Sequence, residues 1–287
     1  MRIGALEAGG TKMVMAVGNE NREILDRVSI PTLKPENTIP LIVDYFKKNN
    51  VERLGIGSFG PVCIDKDSQK YGHILETPKT EWRFYDILGN LEKGLNIPCY
   101  IDTDVNVAAI GEAAWGSAKD VKNCVYITVG TGIGAGIITD GKPLHGLMHP
   151  EAGHILIKRH KEDSFGGVCP YHKDCLEGMA SGPSIEKRWG ISAKELSDNK
   201  AVWDIEAYYL AQAIVNYILI LSPQRIILGG GVMHQKQLLP LIRENVKELL
   251  NGYICMPELE DMDSFIVAPK LEDNQGIMGC IKLALMN

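Results

Sequence analysis

The chain has 287 residues, of which 45% are hydrophobic and 23% charged, and its formal net charge is −6. This length suffices for one large or two ordinary domains, and these fractions exclude wholesale disorder and collagen-like sequence. The longest apolar stretch, around Ala213–Leu221, is far shorter than the roughly 20 residues of a membrane span. An acidic chain is also a poor ligand for nucleic acid, and no secretory signal opens the sequence. We therefore expect a cytoplasmic α/β protein with neither a membrane nor a nucleic-acid partner.

Strands and helices alternate in the first part of the chain. The Gly9-Gly10 turn joins the first two strands into a hairpin, and apolar residues at helical spacing follow between positions 39 and 46. A helix is predicted to begin at Asp104, directly after a buried strand. The predicted strands are Ile3–Glu7, Met13–Val17, Leu54–Ser58 and Pro98–Asp102.

The pattern begins again about 120 residues later, which predicts two related lobes. A strand at Cys124–Val129, a glycine run over 130–136 and a strand at Ile137–Thr139 repeat the first hairpin. The remaining predicted elements are a long helix over 205–219, a strand at Arg225–Leu228, a helix at Gln237–Leu250, a strand at Phe265–Ala268 and a final helix. We expect a smaller lobe over 1–115 and a larger lobe over 116–273, with the final helix, about 274–287, able to pack back on the smaller one.

Glycines cluster at three places where strands end: 9–10, 130–136 and 229–231. Such clusters let backbone N–H groups converge on an anion, because no Cβ blocks the approach. Gly9-Gly10-Thr11-Lys12 does not have the order of a P-loop, and the run 130–136 leads into a strand rather than the helix of a Rossmann fingerprint. Each cluster alone is equally consistent with a tight turn, but the three together favour a nucleotide cleft between the lobes. Thr11 and Thr131 would offer hydroxyls to a phosphate, and Lys12 a positive charge.

Two carboxylates stand at the predicted strand–helix junction, in Asp102-Thr103-Asp104. A carboxylate there is suited to accept the proton of a hydroxyl group during phosphoryl transfer. The ordinary alternative is a helix cap, since Asp is a favoured N-cap residue. The spacing alone leaves both uses open.

Three potential metal ligands lie within seven residues, namely Cys169, His172 and Cys175. Their spacing matches that of structural zinc sites, which need one further donor. Candidates for that donor are His145, His149, His154 and His160. A DNA-binding zinc finger is the competing use, but the acidic chain lacks the basic helix of such a module. A polar loop with two free thiols is the alternative without a metal.

Several motifs, in the right order and spanning essentially the whole chain, resemble those of the ROK sugar kinases of the actin/hexokinase superfamily. The resemblance implies a two-lobed actin-like (ribonuclease H-like) α/β fold, a nucleotide cleft between the lobes, and Asp104 as the base. Most members carry Asp where this chain has Glu7; the fructokinase branch reads Glu-Ala-Gly-Gly-Thr-Lys, as here. The matching segments are Glu7-Ala8-Gly9-Gly10-Thr11-Lys12, Asp104-Val105-Asn106-Val107-Ala108-Ala109, Val129-Gly130-Thr131-Gly132-Ile133-Gly134 and Leu228-Gly229-Gly230-Gly231-Val232.

The same resemblance implies an ATP-dependent kinase with Mg²⁺ and a structural Zn²⁺, acting on fructose or, alternatively, on mannose or glucose. The segment from His149 to His154 resembles the one whose second His binds zinc, so His154 is the expected fourth ligand beside Cys169, His172 and Cys175. The residues assigned to ATP are Gly9, Gly10, Thr11, Lys12, Gly130, Thr131, Gly132, Pro183, Gly229, Gly230, Gly231, Met233 and His234. Those assigned to the hexose are Gly60, Pro61, Asp104, Glu151, His154 and Glu177.

Some alternatives stay open within this resemblance. Gly182-Pro183 is also an ordinary helix start, because Pro favours the first helical turn. Glu151 and Glu177 are also ordinary surface residues. A sugar-responsive repressor of the same family would need an N-terminal helix-turn-helix, for which the first strand at residue 3 leaves no room. A homodimer is left open.

Overall fold

The structure is a computed structural model that describes residues 1–286, and these fall into two compact units. Unit 1 comprises Met1–Lys119, Lys142–Pro150 and the chain from Lys270 onwards. Unit 2 comprises Asp120–Gly141 and Glu151–Pro269. The return to unit 1 at 142–150 has no counterpart among the predicted boundaries.

Unit 1 is built on a five-stranded sheet in the order β3-β2-β1-β4-β5. Its strands are β1 (Arg2–Ala8), β2 (Lys12–Asn19), β3 (Ile24–Pro31), β4 (Arg53–Ser58) and β5 (Cys99–Thr103). The first three strands are antiparallel neighbours, whereas β4 and β5 run parallel to β1. Ala8 pairs with Ser58 and Ser58 with Thr103, so the carboxyl ends of three parallel strands share one edge of this sheet.

The helices of unit 1 cover this sheet. With helices numbered in chain order, they are α1 (Pro35–Lys48), α2 (Ile87–Leu95), α3 (Asp104–Trp115) and α10 (Gln275–Met286). The α10 helix packs against α3 and β4, and the Arg53 side chain donates a hydrogen bond of 2.7 Å to the Ala284 carbonyl. The approach of α10 to α3 is close, since a Cβ at Gly279 would overlap the Val107 carbonyl.

Unit 2 has the same kind of start, a glycine-turned hairpin followed by parallel strands. Four strands lie in the order β10-β9-β6-β7: β6 (Cys124–Val129), β7 (Ile133–Thr139), β9 (Arg225–Gly229) and β10 (Ile266–Val267); the two-residue β8 (Lys142–Pro143) follows β7 in the chain. The β6 and β7 strands are antiparallel, while β9 runs parallel to β6 and places Gly229 beside Thr128.

Six helices of unit 2 lie between these strands in the chain. They are α4 (Leu176–Ala180), α5 (Gly182–Trp189), α6 (Lys200–Leu221), α7 (Leu238–Leu250), α8 (Pro257–Glu260) and α9 (Met262–Phe265). The long α6 is buried along most of its length and packs against α7. The expected α/β class is confirmed, and within residues 1–286 no helix is both long and apolar enough to cross a membrane.

Candidate active site and metal centre

The first glycine turn connects β1 to β2 in unit 1. The Gly9 N–H donates to the Lys12 carbonyl at 3.0 Å, which closes the turn. Thr32, just after β3, holds the turn from the side, because its hydroxyl donates to the Gly9 carbonyl at 2.7 Å and its N–H to the Thr11 carbonyl at 3.0 Å. Thr11 and Lys12 themselves are exposed. The turn is therefore fixed from within the sheet while its polar groups face outward.

Glu7 precedes this turn and is half-buried. Burial raises the pKa of its carboxyl group, Arg27 and Lys12 lower it, and Asp273 adds to the rise. A carboxyl group in this setting gains from a nearby cation, because the cation favours the charged form.

The β5–α3 junction shows that neither of its two carboxylates caps the helix. The N-cap of α3 is Thr103, whose hydroxyl accepts a hydrogen bond from the Asn106 N–H at 3.1 Å. Asp102 is buried and accepts hydrogen bonds from the Thr103 N–H at 2.8 Å and the Asn106 side chain at 2.7 Å. Asp104 is only half-buried, and one of its oxygens accepts from the Val105 N–H at 2.9 Å. Neither Asp is the cap, and Asp104 is the more accessible carboxylate.

The Gly60-Pro61 segment follows β4 at the same sheet edge and contains a cis peptide bond. His149, from the segment that returns to unit 1, is buried beside Gly60 and accepts a hydrogen bond from the Val62 N–H at 3.3 Å. Since β1, β4 and β5 end side by side, unit 1 brings the first glycine turn, this loop and Asp104 to one edge of its sheet.

The second glycine turn connects β6 to β7 in unit 2. Gly130 donates from its N–H to the Gly132 carbonyl at 2.9 Å and accepts from the Gly182 N–H at 2.8 Å. Gly182-Pro183 does begin a helix, α5, which Ser181 caps with its side chain. The start of α5 is thus attached to the glycine turn.

The third glycine cluster lies at the same edge of this sheet, because β9 ends beside β6. Gly230 has a φ of +92°. A Cβ built there would clash with the Val129 backbone, at 2.6 Å from its nitrogen and 2.7 Å from its carbonyl carbon. Only glycine fits such a position without strain. Met233 and His234 follow in a 3-10 turn, Met233 half-buried and His234 exposed.

The four expected metal ligands come together in unit 2. One donor atom from each of His154, Cys169, His172 and Cys175 lies within 4.8 Å of the other three. The Nδ1 atom of His154 is 3.5 Å from the Cys175 sulfur and 3.8 Å from that of Cys169, which is also 3.8 Å from Nδ1 of His172. Both cysteines are buried, and burial raises the pKa of the Cys175 thiol to about 11. The other three histidine candidates lie outside this cluster.

Backbone pairing holds the two halves of this cluster together. The Leu176 N–H, next to Cys175, donates to the Ile155 carbonyl, next to His154, at 3.0 Å. Cys169 and Lys173 exchange two backbone hydrogen bonds, which fold the loop that carries His172. The ligand set is therefore arranged by the backbone.

Glu177 connects the metal cluster to the second glycine turn. One carboxylate oxygen accepts a hydrogen bond from the Ile133 N–H at 3.0 Å, and the other lies 3.8 Å from Nε2 of His154. His154 thus directs Nδ1 to the cluster and Nε2 towards a carboxylate, an arrangement typical of metal-bound histidines. Glu151 is exposed and precedes the 3-10 turn of Ala152–His154.

Two features of the site had no motif to predict them. The imidazole of His145 hydrogen-bonds Asp102 beside the candidate base. In unit 2, the buried Arg188 pairs with the buried Asp163, in the loop between His154 and Cys169, and also donates to the Met179 carbonyl. Lone residues far apart in the chain give no spacing signal, so only the structure shows these pairs.

Comparison with known proteins decides the family. The model of the ROK family matches residues 3–287. The chain belongs to the ROK family. A Bacillus subtilis (strain 168) relative is 52% identical over 98% of this chain and 95% of its own length. Relatives named fructokinase from Pediococcus pentosaceus and from Streptococcus mutans are 48% and 45% identical over 99% and 98% of this chain, and over 98% and 96% of their own lengths.

Solved ROK structures share the fold. The ROK hexokinase from Thermus thermophilus superposes with a TM-score of 0.81 at 24% identity, over 100% of this chain and 98% of the other. A ROK-family glucokinase from Streptomyces griseus, in complex with glucose and AMPPNP, gives a TM-score of 0.80 at 24% identity, over 100% of both chains. The actin-like fold expected from the motifs is confirmed.

Proposed function

We propose that this ROK-family chain is a cytoplasmic ATP-dependent hexose kinase that phosphorylates the 6-hydroxyl of fructose. The observation that carries the proposal is the β5–α3 junction, where Thr103 caps the helix and the half-buried Asp104 carboxylate lies at the same sheet edge as the first glycine turn. Full-length relatives named fructokinase, at 45% to 48% identity, support fructose over mannose and glucose.

Asp104 acts as the general base. Its carboxylate accepts the proton of the hexose hydroxyl while the hydroxyl oxygen forms a bond to the γ-phosphorus of ATP. The bond from that phosphorus to the β–γ bridging oxygen breaks at the same time, and ADP leaves.

The glycine turns hold the phosphates of ATP. In unit 1, Thr11 and Lys12 offer an exposed hydroxyl and ammonium group beside the Gly9-Gly10 backbone. In unit 2, the turn at 130–132 and the cluster at 229–231 share one sheet edge, where Thr131 is exposed. Mg²⁺ on the phosphates would supply positive charge that neutralises them and orients the γ-phosphoryl group. Glu7 suits a place near this cation, which would offset the cost of its burial.

The His/Cys cluster holds a structural zinc ion. In a tetrahedral site with ordinary Zn–S and Zn–N bonds, a sulfur and a nitrogen ligand are separated by ~3.6 Å, and three of the four sulfur–nitrogen pairs here have Sγ–Nδ1 distances of 3.5, 3.8 and 3.8 Å. Two thiolates and two neutral imidazoles balance the charge of Zn²⁺. Four protein ligands leave no open position, so the ion stabilises the fold and takes no part in the chemistry.

Residues assigned to the hexose lie on the two segments that such an ion would link. These segments are the short turn that ends at His154 and the start of α4, which carries Glu177. Within unit 2, we assign Glu151, Nε2 of His154 and Glu177 to hydroxyl groups of the hexose. Within unit 1, the hexose-binding candidates besides Asp104 are Gly60 and Pro61.

A coupled assay of ADP release across fructose, mannose and glucose tests this function. We expect release that depends on added hexose, with the highest kcat/KM for fructose. Asp104→Asn should lower kcat by about 10²-fold or more and leave the affinity for ADP unchanged, whereas Asp44→Asn on the exposed face of α1 should behave as the wild type. Normal turnover by Asp104→Asn would refute the proposed base, and the absence of hexose-dependent release would refute the function.

A further inference from the structure

A buried carboxylate and a histidine pair next to the candidate base, within unit 1. The Nε2 atom of His145 lies 2.9 Å from one oxygen of Asp102. The Asp102 side chain is 3% exposed, whereas that of His145 is 40% exposed. The other Asp102 oxygen is already occupied by the Thr103 N–H and the Asn106 side chain. The imidazole is therefore the group that faces the Asp102 charge from outside the β5–α3 junction.

This pairing fixes how the imidazole is oriented. Because Asp102 accepts the proton on Nε2, the other ring nitrogen, Nδ1, points elsewhere, and no residue in the described part of the chain hydrogen-bonds it. A carboxylate that fixes one ring nitrogen of a histidine in this way determines what the other can do. The exposed edge of His145 is thus a hydrogen-bonding group presented for a ligand.

A second atom at this place also lacks a partner. Asn106 is 1% exposed, and its Oδ1 has no hydrogen-bond partner among residues 1–286. Its amide nitrogen is engaged with Asp102 and lies 3.4 Å from Nε2 of His145. Buried polar groups in proteins are nearly always hydrogen-bonded, so such an atom indicates a missing polar ligand or water.

Distance along the chain places this pair within reach of the same substrate as the base. Asp102 and Asp104 are two residues apart, so their Cα atoms are separated by no more than ~7 Å. A hexose carries a hydroxyl group on nearly every carbon, and the molecule is about as wide as that separation. A hexose with one hydroxyl at Asp104 would therefore extend towards Asp102 and the imidazole that hydrogen-bonds it.

We propose that His145, oriented by Asp102, is a hexose-binding residue whose Nδ1–H donates a hydrogen bond to a hydroxyl group of the sugar. The inference rests on the proposed kinase function and adds a specificity-determining contact to it. His145 binds in its protonated form, because a charged donor makes the stronger hydrogen bond. Asp102 is the positioning residue, since it acts on the sugar through His145.

The charges around the pair predict a pH dependence. The hydrogen bond and the charge of Asp102 raise the pKa of His145 above its ordinary value, while burial and Lys66 lower it. Burial and the charge of Asp102 raise the pKa of Tyr71, which is on the same loop as Lys66. Asp104 is the next charged residue, at the start of α3. The KM for hexose should be lowest below the pKa of His145 and rise as the pH increases through it.

The His145→Gln variant distinguishes a hydrogen bond to the hexose from a purely structural hydrogen bond to Asp102. Glutamine keeps a donor that reaches Asp102, so a structural role would be preserved, but it has no group in place of Nδ1–H. We expect the KM for fructose to rise roughly 10- to 100-fold, as for the loss of a hydrogen bond to a charged group, with KM for ATP and Tm nearly unchanged. The pH dependence of the fructose KM should disappear. His73→Gln is the matched control, because His73 also lies near an Asp in unit 1, with Nδ1 3.7 Å from Asp86.

Asp102→Asn tests the positioning role independently. An amide cannot stabilise the imidazolium, so the rise in fructose KM should move to lower pH while His145 is still present. If His145→Gln retains the wild-type fructose KM and pH profile, the inference is overturned and the pair is only an anchor. If the wild type shows no hexose-dependent ADP release at all, the proposed function fails and this contact fails with it.

Discussion

Gly153, in the segment that carries Glu151 and His154, packs directly on β7. A Cβ built at Gly153 would lie 2.7 Å from the carbonyl carbon of Ile133 and nearer still to its oxygen. Favourable carbon–carbon contacts need about 3.5–4.0 Å, and the oxygen is closer than the carbon, so Gly153→Ala must separate the two backbone segments by more than ~1 Å. Overpacking usually costs 1–3 kcal/mol, and because both groups are backbone we expect about 3 kcal/mol. For a protein of this size that lowers Tm by roughly 6–12 °C.

Gly166→Ala provides the matched control, because Gly166 lies in the loop between His154 and Cys169. A Cβ at Gly166 would meet nothing within 4 Å. Thermal unfolding and zinc content would be measured on both variants at equal concentration. Gly153→Ala should lose stability and retain less zinc, because the displaced segment carries His154. Equal Tm values for the two variants would show that the contact with β7 does not determine the position of this segment.

Three further predictions concern unit 2. Burial raises the pKa of Glu206 well above its ordinary 4.5. Neither of its carboxyl oxygens has a hydrogen-bond partner among residues 1–286. The folded protein therefore loses stability as the pH rises from 4.5 towards the raised pKa. Glu206→Gln cannot ionise, so its advantage in urea unfolding should grow from pH 5 to pH 8, and a difference that is constant with pH would contradict this. Removal of zinc by a chelator should make the thiols of Cys169 and Cys175 reactive, in addition to that of the exposed Cys255. An unchanged number of reactive thiols after verified removal would contradict the proposed ligands. Arg188→Met removes the ion-pair partner of the buried Asp163 and should lower the unfolding free energy by about 3–5 kcal/mol. Arg159→Met, which removes the partner of Asp174 in an exposed ion pair, should lower it by at most ~1 kcal/mol. Similar losses for the two variants would refute this prediction.

Sequence patterns predicted the parts of this protein that depend on local spacing. The two glycine-turned hairpins, the helix that begins at Asp104 and the Cys169–Cys175 ligand spacing are of this kind, and each has the expected backbone in the structure. The β3 strand was missed because it is mostly exposed and carries no buried alternation. Local spacing could not show that Thr103, rather than Asp102 or Asp104, caps α3, because this depends on which side chain bonds the helix N–H groups.

Contacts between distant segments had no sequence signal. The hydrogen bond between His145 and Asp102 joins residues 43 positions apart, and the ion pair of Asp163 with Arg188 depends on how a loop meets a helix. The resemblance to a family supplied His154 as the fourth ligand, where spacing alone left four histidines. The Nδ1 atom of His154 faces the cysteine sulfurs. Which of the two ring nitrogens does so cannot be read from the sequence.

The position of α10 on unit 1 has a consequence for synthesis in the cell. Its buried Cys280 and Ile281 belong to the apolar interior of unit 1, yet the ribosome makes them only after every residue of unit 2. Domains usually fold in the order in which they emerge, but here the unit that is begun first is finished second. Until α10 arrives, the surfaces of α3 and β4 that it covers are open to water, so newly made chains should depend on chaperones for longer than mature ones.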